Sequence, residues 1–173
     1  SRQDRPLRSP DAGLAETHGA YDFYGLTRNG PFSLCPGDPR SLELVSGWLS
    51  ELASCFSSRR VNIGCDETAD IGWGRSAEAV ALDGKGAVYA RYVASVAEAA
   101  KTRGLEPMFW ADIALESPEV LERLPSDLLA LAWGYEPDSP YSAWSETLRA
   151  AERDFWVCPG TSCWRSYTGR TSE

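Results

Sequence analysis

The 173-residue sequence predicts an α/β fold built on a parallel sheet, and three observations carry that expectation. Short runs that are apolar throughout alternate with longer segments of helical periodicity, the pattern of strands covered on both faces by helices. Three of the four helical segments open with Asp-Pro or Ser-Pro, and the other closes on Gly, so their ends are marked by capping chemistry. Each apolar run ends in polar or aromatic residues, and parallel α/β folds build their sites at the C-terminal ends of their strands.

The elements follow in order. Residues 1 to 37 have weak periodicity: "SRQDRPLRSP" is polar, and "THGAYDFYGLTRNGPF" is rich in Gly and aromatics. This lead-in predicts loop, a long active-site loop whose parent strand lies outside the chain. A structureless segment of that length is uncommon in a compact domain, so the expectation is a piece of a longer protein. In "GDPRSLELVSGWLSELASCF" the residues Leu42, Val45, Leu49, Leu52 and Phe56 recur at helical spacing, with Asp38 as N-cap and Pro39 at N1. "RRVNIGCDE" predicts a strand, "WGRSAEAVALDG" a loop, and "KGAVYARYVASVAEAAKTRG" a helix closed by Gly104. "LEPMFWADI" is a second strand, and "SPEVLERL" a short helix with Ser117 as N-cap and Pro118 at N1. "DLLALAWGYEP" is a third strand, "SPYSAWSETLRAAERD" a helix, and "FWVCPGTSCW" a fourth strand running into a loop. The predicted organisation is one domain over 1–173, a lead-in (1–37) followed by β/α units (38–173).

Composition narrows the function. Hydrophobic residues make up 43% and charged residues 24% of the chain, which suffices for a core. A net charge of -8 speaks against nucleic-acid and anionic-membrane surfaces. No apolar run approaches the roughly 18 residues that span a bilayer. The five cysteines (Cys35, Cys55, Cys65, Cys158, Cys163) are odd in number and form no CxxC pair, so neither a disulfide framework nor a zinc site is predicted. A reducing, cytoplasmic compartment is the default. His18 is the single histidine and sits in the Gly-rich lead-in, which discounts Ser-His-Asp chemistry and His-based metal sites. No GxGxxG or P-loop follows a strand. No metal or cofactor is expected.

The stretch "VNIGCDETADIGWGRS" holds the chemistry. Asp66 and Glu67 close an apolar run, where two adjacent acids repel each other and resist desolvation. A charged neighbour keeps a carboxylic acid protonated, as general acid catalysis near neutral pH requires. Ordinary glycosidases set two carboxyls about 5 to 9.5 Å apart across the scissile bond; adjacent residues suit instead the substrate-assisted exception, in which a 2-acetamido oxygen is the nucleophile. The other strand ends offer Trp110 and Asp112, then Trp133, Tyr135 and Glu136, then Thr161, Ser162 and Trp164, an aromatic rim suited to a flat sugar face. Core packing is an equal reading for Trp133. Trp48 and Trp144, on helices, are expected in core or helix–sheet contacts. Trp73 could belong to the site or to a lid, and Tyr21, Phe23 and Tyr24 to a substrate-facing loop. Cys65 reads as a small buried filler and Arg75 as a candidate loop anchor.

"VNIGCDET" resembles the His/Asn-x-Gly-Gly/Cys-Asp-Glu signature of glycoside hydrolase family 20, the β-N-acetylhexosaminidases. With "DIGWGRS" after it, the motif is similar to the hexosaminidase D-like branch. "PFSLCPGDPRSLEL", "MFWADI", "LALAWGYEP" and "FWVCPGTSCWRSYTGRT" agree in order, so the resemblance spans about residues 30 to 171. It implies a partial (β/α)8 TIM barrel whose four strands correspond to the fourth to seventh of the family's eight. It implies hydrolysis of terminal β-linked N-acetylglucosamine or N-acetylgalactosamine from a glycan or glycoside, with retention. Glu67 would be the general acid/base, and Asp66 the acceptor of the acetamide N–H and stabiliser of an oxazolinium-like intermediate. Trp110, Trp133 and Trp164 would wall the pocket, Asp112 and Glu136 would contact hydroxyls, and Tyr135 would be the phenol on the acetamide oxygen. The family's Tyr-x-Asp arrangement on a later strand has no counterpart here.

Two other readings remain open at this stage. One is a non-catalytic carbohydrate-binding or degenerate fragment. The other is a two-carboxylate glycosidase pairing Glu67 with Asp112 or Glu136. A half barrel would leave strand edges uncovered, so the isolated chain is expected to be poorly stable and weakly active.

Overall fold

The computed structural model describes residues 12–160 apart from Tyr24. It is an α/β structure with a four-stranded parallel sheet and intervening helices. The strands are β3 (Arg60–Asn62), β4 (Glu106–Trp110), β5 (Leu129–Gly134) and β6 (Phe155–Pro159), in spatial order β3-β4-β5-β6. Sequential order in space with helical crossovers is the arrangement of consecutive β/α units. The register pairs Asn62 with Met108, Trp110 with Leu131, and Trp133 with Cys158. Ladder bonds continue past the strand ends, Trp110 N–H to the Gly64 carbonyl (3.0 Å) and Ala111 N–H to the Leu131 carbonyl (3.0 Å). All four strands therefore deliver their C-terminal residues to one end of the sheet.

Among the described α-helices only the first has a side-chain cap at its start. Helix α1 (Pro39–Cys55) starts with Pro39 at N1, and the Asp38 side chain accepts the Arg40 N–H at 3.0 Å. Helix α3 (Lys85–Lys101) passes into a turn over 102–104 that closes at Gly104, whose φ of +73° lets the Leu105 N–H turn back to the Ala100 carbonyl. Helix α5 (Tyr141–Ala150) follows Ser139-Pro140. The principal core lies between the sheet and its helices: Phe109, Ala130 and Ala132 from the strands meet Tyr89, Val93 and Ala97 of α3 and Leu148 of α5. A second cluster joins Leu49 of α1 to Val96, Ala100 and Leu105. Alternate strand residues fill these layers, as a sheet with one face under helices requires.

Three local expectations are corrected. Residues 77–83, read as loop, form helix α2 (Ala77–Asp83). None of its residues is fully buried, and its packing on the core through Ala79 and Val80 is too short a stripe for periodicity to reveal. The second strand, expected to reach Ile113, gives way to a short helix α4 (Asp112–Glu116). The short helix expected after it is present, with Ser117 at its N-cap position, but it is a 3-10 helix over Pro118–Arg123 and the Ser117 side chain makes no capping bond.

The lead-in is also more ordered than loop. A 3-10 turn (Ala12–Leu14) precedes an antiparallel excursion: Ala15 bridges Leu34, and β1 (Ala20–Phe23) pairs with β2 (Leu26–Asn29). Gly25, just before β2, has a φ of +74°. Trp48 corrects another expectation. It is 47% exposed on α1, in line with exposed Leu52 and Phe56, because no described element covers that face.

Candidate active site

The approach to the two acids is built from residues in unusual backbone conformations. Gly64 and Cys65 have φ of +74° and Glu67 has φ of +49°, so the chain leaves β3 through a left-handed corner. For Cys and Glu this conformation costs on the order of 1 kcal/mol each and needs outside support. The support is visible. The Gly64 N–H bonds Asn62 Oδ1 (2.9 Å), the Tyr89 hydroxyl donates to the Cys65 carbonyl (2.9 Å), and the Glu67 N–H donates to Asp112 Oδ2 (2.9 Å). Strand neighbours ordinarily point to opposite faces. The corner is what frees Asp66 and Glu67 from that rule.

Asp66 is exposed and Glu67 half-buried; both line a cavity of about 450 Å³ with Phe32, Trp48, Tyr89 and Tyr92. Asp112, Trp133, Tyr135 and Glu136 line a second cavity of about 360 Å³ at the ends of β4 and β5. Trp133 and Tyr135 pack with ring centroids 5.5 Å apart, tilted by 60°. Asp112 joins the two groups, since its Oδ1 accepts the Trp133 indole N–H at 3.4 Å while Oδ2 holds the Glu67 amide. Trp110 is half-buried and lines neither cavity. Trp164 lies outside the described residues, as do Thr161 and Ser162.

Burial and the neighbouring carboxylates shift the titrating groups of this end in one direction. Burial pushes the Cys65 thiol up to about 12, and the Asp66 and Asp112 carboxylates add to the shift. Burial, Cys65, Asp112 and Asp66 together hold the Tyr89 phenol well above its usual value. Burial also raises Asp112, opposed by the bonds from Glu67 and Trp133. Among the described residues no group of three or more His, Cys, Asp or Glu side chains is placed to hold a metal, and His18 is exposed.

The segment after the acids is anchored by residues the motif did not flag. The buried Glu16 carboxylate accepts the Gly74 N–H (3.1 Å), the Ser76 N–H (2.9 Å) and the Ser76 hydroxyl (2.7 Å). Asp70, fully buried, accepts the Ser33 N–H at 3.1 Å. Arg75 is indeed a loop anchor, donating to the Gly13 carbonyl (3.1 Å) and to Asp38 Oδ2 (2.6 Å). Trp73 is 51% exposed, its ring 6.2 Å from Tyr21, which stacks on Phe32 at 5.0 Å. Nothing in "GLAETHG" signals the role of Glu16, because its partners lie some 60 residues away. The fit is tight: a Cβ on Gly74 would stand 2.1 Å from the Glu16 carbonyl oxygen. Gly74→Ala is therefore expected to lower stability by about 3 kcal/mol in urea unfolding, since backbone must move to admit the methyl group.

Fold and acid placement define the class, a partial (β/α)8 barrel with carboxylates gathered at the carboxyl ends of its strands. The model of the glycosyl hydrolase family 20 catalytic domain matches residues 14–155, and the chain belongs to that family. Solved structures agree in fold. The exo β-N-acetylglucosaminidase of Vibrio harveyi, in complex with N-acetylglucosamine, superposes with a TM-score of 0.60 at 17% identity over 86% of this chain. The β-N-acetylhexosaminidase of Bacteroides fragilis gives 0.58 at 15% identity over 83%, and that of Streptomyces coelicolor 0.53 at 18% over 80%. The chain spans only 22%, 30% and 24% of those proteins respectively. No curated protein matches it.

Proposed function

We propose that this chain carries the acid–base centre of an exo-acting β-N-acetylhexosaminidase of the hexosaminidase D-like branch, working by substrate-assisted retention. The observation behind this reading is the adjacent pair Asp66-Glu67 at the left-handed corner ending β3. The substrate is a terminal β-linked N-acetylglucosamine or N-acetylgalactosamine. In the first step the acetamido oxygen attacks C1, the glycosidic C1–O bond breaks, and Glu67 gives its proton to the leaving oxygen. The positive charge passes to an oxazolinium ring whose N–H is held by Asp66. In the second step Glu67 takes a proton from water, whose oxygen attacks C1 and reopens the ring. The Asp66 and Asp112 carboxylates, near enough to Cys65 to raise its thiol, support this assignment, since nearby negative charge favours the cation.

Trp110, Trp133 and Trp164 are the proposed walls, Tyr135 the phenol on the acetamide oxygen, and Glu136 a hydroxyl contact. Asp112, expected to contact a hydroxyl as well, has an oxygen on each of two protein donors. The proposed domain is a single incomplete barrel unit, in which 38–173 supply the β/α repeats.

The test compares hydrolysis of a chromogenic β-N-acetylglucosaminide with that of the matching β-glucoside, in this chain and in a longer protein containing it. Cleavage of the first alone is expected, because the glucoside lacks the internal nucleophile. Cleavage of both would establish two-carboxylate chemistry instead. Cleavage of neither by either protein would leave a sugar-binding or degenerate domain.

A further inference from the structure

We infer that Asp112 is a positioning residue, one carboxylate that fixes both the proposed acid Glu67 and the proposed pocket wall Trp133. The inference rests on the reading of Glu67 given above. Three strand ends meet at this side chain. From the end of β3, the Glu67 N–H donates to Oδ2 at 2.9 Å. From β5, the Trp133 indole donates to Oδ1 at 3.4 Å. Asp112 itself follows β4, and the preceding Ala111 is fully buried with its N–H on the Leu131 carbonyl. The carboxylate is thus anchored by the sheet ladder, while Glu67 lies beyond the end of β3 outside strand pairing, and Trp133, whose backbone pairs with Cys158, has its indole oriented by the carboxylate.

The need for such a holder is physical. Glu67 has φ of +49°, a conformation that a non-glycine residue keeps only when its surroundings impose it. A hydrogen bond from its own N–H to an anionic acceptor is a strong local constraint. A general acid displaced by about 1 Å loses on the order of 100-fold in rate. An aromatic wall joined to the same carboxylate moves with it, so the acid and the sugar face keep one spacing. Burial makes the arrangement mutual: the half-buried carboxylate has lost part of its water, which raises its pKa, and the bonds from these two donors oppose that rise.

The exchange Asp112→Asn is nearly isosteric but leaves a single acceptor oxygen, so one of the two bonds must fail. In the unaltered chain, the Glu67 amide is expected to be protected from hydrogen exchange and the Trp133 indole N–H to resonate apart from unbonded indoles. In Asp112→Asn, we expect the Glu67 amide to exchange about 10-fold faster or more, or the indole signal to return to the unbonded position. Hydrolysis should show kcat down about 100-fold with KM nearly unchanged. Trp133→Phe should leave the Glu67 amide protected, separating the two bonds.

An unprotected Glu67 amide in the unaltered chain overturns the inference, and this measurement needs no variant to fold. Full kcat in Asp112→Asn, where Glu67→Gln is inactive, overturns it while leaving the proposed function standing. If no N-acetylhexosaminide is cleaved by any form, the proposed function fails, and the role of Asp112 as holder of Glu67 is still decided by the two N–H signals.

Discussion

Glu67→Gln is expected to lower turnover of a β-N-acetylglucosaminide by about 1,000-fold, with KM changed little. Gln keeps the size of the side chain and its place on the corner, but it has no proton to give and no basic oxygen with which to activate water. General acid–base catalysis contributes about 100- to 10,000-fold, which sets the scale. The leaving group supplies a sharper check. A nitrophenolate departs with little help, whereas a sugar alkoxide needs a proton. The loss should therefore be larger for a disaccharide than for the chromogenic substrate. A uniform loss across leaving groups would assign Glu67 to the ring-opening step alone. Asp66→Asn, by contrast, should fall similarly for both leaving groups, because its proposed task is the charge on the acetamide rather than the departing oxygen.

Glu16→Ala is expected to remove about 4 kcal/mol of stability, measured by urea unfolding at pH 7. The substitution leaves the Gly74 N–H, the Ser76 N–H and the Ser76 hydroxyl without their acceptor in a buried place. Each unsatisfied donor costs about 1 to 3 kcal/mol, and partial relaxation keeps the sum below the maximum. Burial tends to raise the Glu16 pKa, but the bonds from Ser76, from Gly74 and from the Cys35 thiol together hold it below the usual value. A carboxyl whose pKa is lower in the folded state contributes stability above its unfolded value of about 4.3, and loses it as pH falls through the folded value. The stability gap between Glu16→Gln and the unaltered chain should therefore be constant from pH 6 to 8 and narrow below about pH 4. A gap that widens in acid would show that Glu16 is held protonated. The segment so anchored runs directly from the two acids, so the same variants should also weaken activity through a less fixed Asp66-Glu67 corner.

Helices and strands were legible where their signals are local. Asp38-Pro39, Ser139-Pro140 and Gly104 act within a turn of chain, and the apolar runs at β4 and β5 needed no partner to be recognised. The proposed acid pair stood out in the sequence as two carboxylates closing an apolar run. Helix α2 escaped because none of its residues is fully buried and the stripe it packs on the core is short. Trp48 misled because helical spacing marks a face as apolar without showing whether anything packs on it.

The sequence by itself determined the β/α alternation, the helix ends, and the two carboxylates at a strand terminus. Only the tertiary structure decided what holds them. The Asp112–Glu67 bond spans 45 residues and the Glu16–Ser76 bonds span 60. Caps and periodicities depend on neighbours along the chain, within one or two turns. A left-handed Glu67 and a carboxylate shared between Glu67 and Trp133 depend on parallel strands lying side by side, and that proximity exists only once the sheet has formed.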